Sequence, residues 1–337
     1  MGSSAYFNPN SSREFLRQGV ADNPCLLAYT EAMKILVTGA TGLVGTALVS
    51  ALAGDGHTVC RLVRPQTKTE GGTHAAFDVA WDPETGELGG AAVGADAVVN
   101  LAGASIAEGR WTDSRKRFLR TSRVDATHAL VAALGKMNAK PSVLISASAI
   151  GFYGNRGNEV LTEASVPGKD FLSDLARDWE AEALRAEVFR TRVVLPRFGI
   201  ILARNGGALP KMMLPFRFGV GGKIASGKQW MSWVALDDVV EILKFALSSR
   251  DLHGVVNVVA PEPVTNSDFT KALATAIHRP ALFSVPALAL KLAMGEMADA
   301  LLLSSQRVKP AMLMRMGYRF SRPQLEPTLR EIVASRS

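Results

Sequence analysis

Gly39, Gly42 and Gly45 recur at three-residue intervals, directly after the apolar run Ile35-Leu36-Val37 and directly before a helical pattern of Ala47, Leu48, Ala51 and Leu52. Strand, glycine-rich turn and helix in that order build a dinucleotide cradle. Gly39 permits the tight turn, Gly42 lets the backbone approach a pyrophosphate, and Gly45 lets the helix pack closely on the sheet. Thr41, Leu43 and Val44 complete the loop. The free N–H groups and positive dipole end of the helix then face the phosphates. A glycine-rich turn in some other βαβ unit is the alternative, and the readable strand and helix on either side argue against it.

A second group of residues bears on which dinucleotide. About 20 residues after the glycine loop an acidic side chain would hold the ribose 2′-hydroxyl of NAD. Here the chain reads Arg61-Leu62-Val63-Arg64-Pro65 instead. A guanidinium grips a 2′-phosphate bidentately, so NADP(H) is the expected cofactor, with Val63 and Arg64 beside it and only one arginine expected to reach. A solvated arginine at a strand end is the competing reading. Asn100-Leu101-Ala102-Gly103 closes another apolar strand, and its small residues let backbone lie against the adenosine side of a cofactor. Ser146-Ala147-Ser148 closes a third, with Tyr153 soon after; Ser146 is assigned to the cofactor and Ser148 and Tyr153 to chemistry. A serine at a strand end that only satisfies backbone groups is the plainer alternative.

The Gly-x-x-Gly-x-x-Gly spacing behind Thr38, together with Asn100-Leu101-Ala102-Gly103, resembles the extended branch of the short-chain dehydrogenase/reductase (SDR) superfamily. That resemblance implies that Ser148 binds the reacting carbonyl and that a Tyr-Gly pair, here Tyr153-Gly154, follows it. It also implies a Tyr-x-x-x-Lys pair on the next helix, whose lysine lowers the tyrosine pKa for proton transfer. Aligned on Glu180, those positions hold Leu172 and Ala176, so the pair is absent. Arg123 stands near where many SDRs carry a helix Asn, and is assigned to the cofactor. Tyr153 is then the first candidate for the acid, with Arg123 or Lys228 to lower its pKa from about 10. The alternative is a structural Tyr153, its hydroxyl bound to backbone.

More narrowly, the chain resembles the atypical "epimerase family protein" branch of the NAD-dependent epimerase/dehydratase group, sometimes labelled cell-division-inhibitor-like. Trp81-Asp82-Pro83, Arg110-Trp111-Thr112, Ser122-Arg123, Ser146 to Gly154, Trp179-Glu180, Leu214-Pro215-Phe216-Arg217, Gly227-Lys228-Gln229 and Ala260 to Asn266 carry the likeness, which runs from Met33 to about Ile332. It implies an SDR fold and NADP(H) binding, and no substrate.

Elements must hold these residues in place. Apolar strands alternate with helical segments, which points to an α/β fold, a Rossmann-type doubly wound sheet of about seven parallel strands with Ile35–Val37 inside it. Strands are expected at Thr58–Val63, Ala76–Val79, Ala97–Leu101, Ser142–Ser148, Thr191–Leu195 and Gly254–Val259. Helices are expected at Thr112–Leu134, Leu172–Glu187, Asp237–Leu247 capped by Asp237 or Asp238, and Phe269–Ile277 capped by Asn266 or Ser267. The division is residues 1–32 as a weakly ordered extension, 33–195 as the nucleotide-binding domain and 196–335 as a smaller substrate lobe interleaved with the sheet. In that lobe glycines and prolines suggest loops, and Lys211, Arg217, Lys228, Gln229 and Trp233 form the expected substrate surface. The cations suit a carboxylate or phosphate and Trp233 a ring; solvated charges and a core tryptophan are the alternative.

Composition limits the partners. A hydrophobic content of 47% with 20% charged residues gives 337 residues enough for a sizeable core. No apolar run approaches the roughly 18 residues of a membrane span. The net charge of +7 is spread along the chain, without the basic run or aromatic platform that nucleic acid would need. Two cysteines, Cys25 and Cys60, make no disulfide framework and fit a reducing, cytoplasmic setting. The scattered histidines make no metal site. A monomer or homodimer acting on a small molecule is expected. Two functions fit: an NADP(H)-dependent oxidoreductase or epimerase on a small polar or anionic substrate, or an NADP(H)-sensing regulator without turnover.

Overall fold

The computed structural model describes residues 31–64 and 76–334. The expected extension and Cys25 lie outside the described residues, apart from positions 31 and 32.

Seven parallel strands form the centre: β1 (Lys34–Thr38), β2 (Thr58–Val63), β3 (Ala76–Asp82), β4 (Ala97–Asn100), β5 (Val143–Ser146), β6 (Arg192–Phe198) and β7 (Gly254–Val258). Their spatial order is β7-β6-β5-β4-β1-β2-β3, every neighbouring pair parallel. A short antiparallel strand, Glu87–Leu88, extends the β3 edge. The strands read as apolar runs because both faces are covered. One face packs Ile35, Val37, Leu48 and Leu52 against Val239, Ile242 and Leu243, and the other packs Leu36, Val98 and Leu144 against Leu130, Leu134 and Ala183. β1 is an inner strand, and the chain order reverses between β1 and β4. Open α/β sheets bind ligands at the carboxyl side of such a switch point.

Helix α1 (Leu43–Gly54) follows β1. The helix expected over Thr112–Leu134 is α2 (Asp113–Arg120) and α3 (Ala126–Lys136), joined by a π-helical turn at Thr121–Asp125, with Thr112 capping the start. Helix α4 (Phe171–Leu184) leads towards β6. β6 runs past the expected stop at Leu195: Pro196 sits inside it, opposite Val256, and the strand ends at Phe198.

Beyond β6 the chain builds a second cluster around Leu202, Leu209, Phe216, Trp233, Phe269 and Leu329. The stretch expected as loops contains helix α5 (Leu209–Arg217). Pro210 lies in the first turn, where no N–H partner is needed; Pro215 is accommodated inside the helix. Helix α6 (Leu236–Ser248) has no side-chain cap. Asp238 is buried there and accepts the backbone N–H groups of Ser321 and Arg322 at 2.8 and 3.0 Å, which is why neither expected aspartate caps the helix. Helix α7 (Asn266–Ala276) is capped by Thr265, not Asn266 or Ser267. Thr265 accepts from the backbone N–H of Asp268, and its hydroxyl donates to the Asp268 carboxylate at 2.6 Å, which orients the capping oxygen.

Candidate functional site

The glycine loop leaves β1 at the switch point. Gly39 has φ +64°, and a Cβ there would stand 2.6 Å from the Leu101 carbonyl oxygen. A Cβ on Gly45 would stand 2.2 Å from the Gly39 oxygen. Both glycines are required by backbone against backbone. Gly42 is the N-cap of α1, with no side chain capping the helix and no acid in its first turn. Thr41 and Gly42 are exposed, and Leu43 and Val44 half-buried. A helix start left open in this way fits an anionic pyrophosphate. Leu43 also reaches the second lobe, where a Cβ on Gly206 would meet its side chain at 2.9 Å.

Thr38 ties β1 to β4. Its hydroxyl donates to the Asn100 side-chain oxygen at 2.7 Å and accepts the N–H groups of Leu101 and Ala102 at 3.1 and 3.2 Å. The Asn100 amide donates to Thr127 at 2.9 Å and to Ser146 at 3.0 Å. Asn100 and Ser146 are buried, and their side chains bind the strand ends together. Ser146 is thus tied into the strand ends, and beyond them the N–H groups of Leu101 and Ala102 turn to Thr38 while Gly103 is exposed.

Arg123 lies on the π-turn, half-buried under that loop. It donates to the Ala104 carbonyl at 2.8 Å and to the Leu119 carbonyl at 3.3 Å, with its guanidinium 5.3 Å from the centre of the Trp179 ring. Burial, then the nearby Arg115, lowers its pKa to about 10. At the end of β2, Arg61 pairs with Asp78 at 2.7 Å. Arg64 is exposed, with no ion-pair partner among the described residues.

The carboxyl ends of β5 and β6 hold a buried polar chain. Ser148 donates to Glu180 at 2.5 Å. Arg197 grips both Glu180 oxygens at 2.7 Å, stacks 3.3 Å from the centre of the Phe152 ring, and donates to the Tyr153 hydroxyl at 3.0 Å. Tyr153 donates to the side-chain oxygen of Asn257 at 2.7 Å. Tyr153 is wholly buried. Burial pushes its pKa up, and the cation beside it, Arg197, does not reverse this. The groups beside the Tyr153 hydroxyl are Arg197 and Asn257, neither the expected Arg123 or Lys228 nor the backbone of the structural alternative. Ala176 is buried and Leu172 packs near Gly151, so the helix positions that would carry Tyr and Lys are apolar.

The expected substrate surface divides. Lys211, Arg217 and Lys228 are exposed. Gln229 is buried, donating to the carbonyls of Ile224 and Leu302. Trp233 has no exposure, and its indole N–H donates to the Glu262 carbonyl at 3.1 Å. It is a core residue with no free face for a ring. Among the described residues no His/Cys/Asp/Glu cluster could hold a metal, and no helix is long and apolar enough to cross a membrane. Sequence reasoning did not find Arg197 and Asn257, and used Glu180 only as a landmark.

Residues 35–259 match the NAD dependent epimerase/dehydratase family, and residues 285–332 match a domain of unknown function, DUF1731. An epimerase family protein of Mycobacterium leprae is 41% identical over 287 residues, covering 85% of this chain and 91% of that protein. One from Bacillus subtilis is 37% identical, covering 90% of this chain and 99% of that one. The human epimerase family protein SDR39U1, solved with NADPH, superposes with a TM-score of 0.80 at 34% identity, covering 89% of this chain and 99% of that one. With its parallel sheet and open glycine cradle, the chain belongs to the NAD dependent epimerase/dehydratase family.

Proposed function

We propose that this protein is an NADP(H)-dependent oxidoreductase or epimerase acting on a small polar or anionic substrate. The division of labour is a nucleotide-binding part over residues 33–195 and a substrate lobe over 196–335. The observation that carries the cofactor choice is the pair of arginines at the end of β2. Arg61 is neutralised by Asp78 at 2.7 Å, while Arg64 stands exposed one residue beyond the strand. A single free guanidinium suits a 2′-phosphate. The NADPH in the human relative supports the same choice. The cradle of Gly39, Thr41, Gly42, Leu43, Val44 and Gly45 suits the pyrophosphate. Val63, the 100–103 segment and Arg123 flank the remainder.

NADP(H), when bound, supplies or accepts a hydride. Ser148 meets the substrate oxygen. Its one proton points to Glu180, so its lone pairs are left to accept from a substrate hydroxyl. Arg197 grips both Glu180 oxygens and so orients the carboxylate. Arg123 keeps a fixed positive charge under the β4 loop.

The test is to titrate NADPH and NADH against wild type and Arg64→Ala. Wild type is expected to bind NADPH more tightly, and Arg64→Ala to lose on the order of 1.5–3 kcal/mol for NADPH and little for NADH. Equal affinities of wild type for the two cofactors would overturn the NADP(H) reading.

The absence of the Tyr/Lys pair and the burial of Tyr153 favour a second reading, an NADP(H) sensor without turnover. Incubating the NADPH-loaded protein with a panel of carbonyl compounds and nucleotide sugars separates the two. Oxidation of NADPH with any member supports the enzyme, and none with all members the sensor.

A further inference from the structure

We infer that Arg307 and Trp230 form an oxyanion subsite that holds a phosphate or carboxylate group of the substrate. The inference rests on reading the end of β5, at Ser148, as the reacting centre.

Arg307 is the only cation of the second lobe whose guanidinium is both stacked on an aromatic ring and without a hydrogen-bond partner among the described residues. Its guanidinium carbon lies 4.3 Å from the centre of the Trp230 ring. Its Nε is buried and has no partner. A buried N–H left unpaired is costly. Nε and one terminal nitrogen form the edge of the fork that reads two oxygens of one anion. The fork is planar by its own delocalisation, and stacking on Trp230 fixes the orientation of that plane. The nearby acid Glu159 is already committed, with Arg156 on both of its oxygens at 2.9 and 2.7 Å. The Trp230 indole N–H donates to the Asn158 side-chain oxygen at 3.0 Å, which fixes the ring and leaves the Asn158 amide as a second donor beside it.

The pair is held by backbone. The Trp230 N–H donates to the Ser305 hydroxyl at 3.0 Å, and the Gln306 N–H donates to the Trp230 carbonyl at 3.1 Å. The two-residue strand Arg307–Val308 pairs with Val160–Leu161, and Val308 is buried, so alternation turns Arg307 away from the core. Gln306 also donates to the carbonyls of Ile150 and Gly154 at 3.0 and 3.2 Å. Ile150 opens, and Gly154 ends, the 3-10 turn that follows the short strand Ser148–Ala149. The subsite is thus stitched to the strand end where the substrate oxygen is received. Lys211, Arg217 and Lys228, the cations expected from sequence, show no such side-chain tie among the described residues. The 285–332 region, whose family model has no stated function, would on this account supply the group that anchors the substrate.

The test uses the full chain saturated with NADPH, so that the glycine cradle is occupied, and titrates inorganic pyrophosphate and malonate separately by calorimetry. At least one probe is expected to bind wild type. Arg307→Met should weaken that binding about tenfold or more, Arg307→Lys by less, and Trp230→Phe by an intermediate factor. Which probe binds tells phosphate from carboxylate. Arg307→Lys keeps the charge and guards against a variant that fails to fold, and unchanged NADPH affinity certifies each protein. Equal binding by wild type and both Arg307 variants would overturn the subsite, as would wild type binding neither probe at millimolar concentration. Loss of the subsite with NADPH still bound leaves the NADP(H) reading standing. If wild type binds no NADPH, the same titration on the free protein, read as the Arg307 dependence of probe binding, tests the subsite alone.

Discussion

Glu180 and Arg197 have side-chain exposures of 7% and 3%, and each is the other's compensation. Removing one partner of a buried pair leaves an uncompensated charge and costs about 3–5 kcal/mol. Glu180→Gln is therefore expected to lower unfolding stability by about that amount in urea denaturation, because Arg197 keeps its charge with no anion to meet it. Glu180→Gln combined with Arg197→Met should cost less than the sum of the two single changes, since the second removes the orphaned cation. Additive losses would mean that the two groups do not act as a unit. Ser148 has a separate interest here. Its hydrogen bond to Glu180 is the link between this pair and the place where, on the proposed function, a substrate oxygen is read.

At the scale of elements, the glycine loop was legible because its constraint is local. Gly39 and Gly45 are fixed by the carbonyl oxygens they approach, and strand, turn and helix are adjacent in sequence. Gly45→Ala is expected to open the turn, since no side chain can yield at 2.2 Å from a backbone oxygen. NADPH affinity should fall about tenfold or more, with a stability loss of about 1–3 kcal/mol. An unchanged NADPH affinity in this variant would separate the cradle from cofactor binding. The strands were legible as apolar runs because both faces of the sheet are covered. Arg197 was not, because Pro196 reads as the end of a strand: proline withholds a donor and is rare within a sheet. β6 tolerates it and carries Arg197 inward, one residue further on. The side-chain partners of Arg197 come from α4 and from Phe152 and Tyr153, and that of Arg307 is Trp230, distances in sequence that no local pattern encodes. The caps failed for a similar reason. Asp238 has the right chemistry for a cap, and the remote Ser321 and Arg322 N–H groups claim it instead.

At the scale of the whole molecule, the sheet and the second lobe share their chain. β7 comes from residues that follow much of the lobe, yet it pairs along β6 from Gly254 opposite Val194 to Val258 opposite Phe198. Leu43 at the start of α1 touches Gly206 and Gly207 of the lobe. Trp233 belongs to the lobe's core, while its carbonyl accepts the N–H of Ala260, two residues past β7. Separate unfolding of the two parts would have to break the central sheet. Tryptophan fluorescence and far-ultraviolet circular dichroism are therefore expected to give coincident urea transitions. Two resolved midpoints would contradict this.

The late arrival of β7 has a consequence during synthesis. A ribosome delivers the chain from the amino end at about 5–20 residues per second, so β6 is complete some seconds before the strand that will cover its flank. Through that interval the strand edge is bare, and unpaired edges recruit other chains. Pro196 lies in the middle of that edge, opposite the future position of Val256. Its missing N–H lies on the β5 side, however: Arg192 donates to Ser142 and Gly199 to Val258, so by alternation it is Leu195 and Arg197 that present their N–H groups to the bare edge. The edge therefore keeps its donors while it waits, and only the arrival of the chain's own later segment closes it.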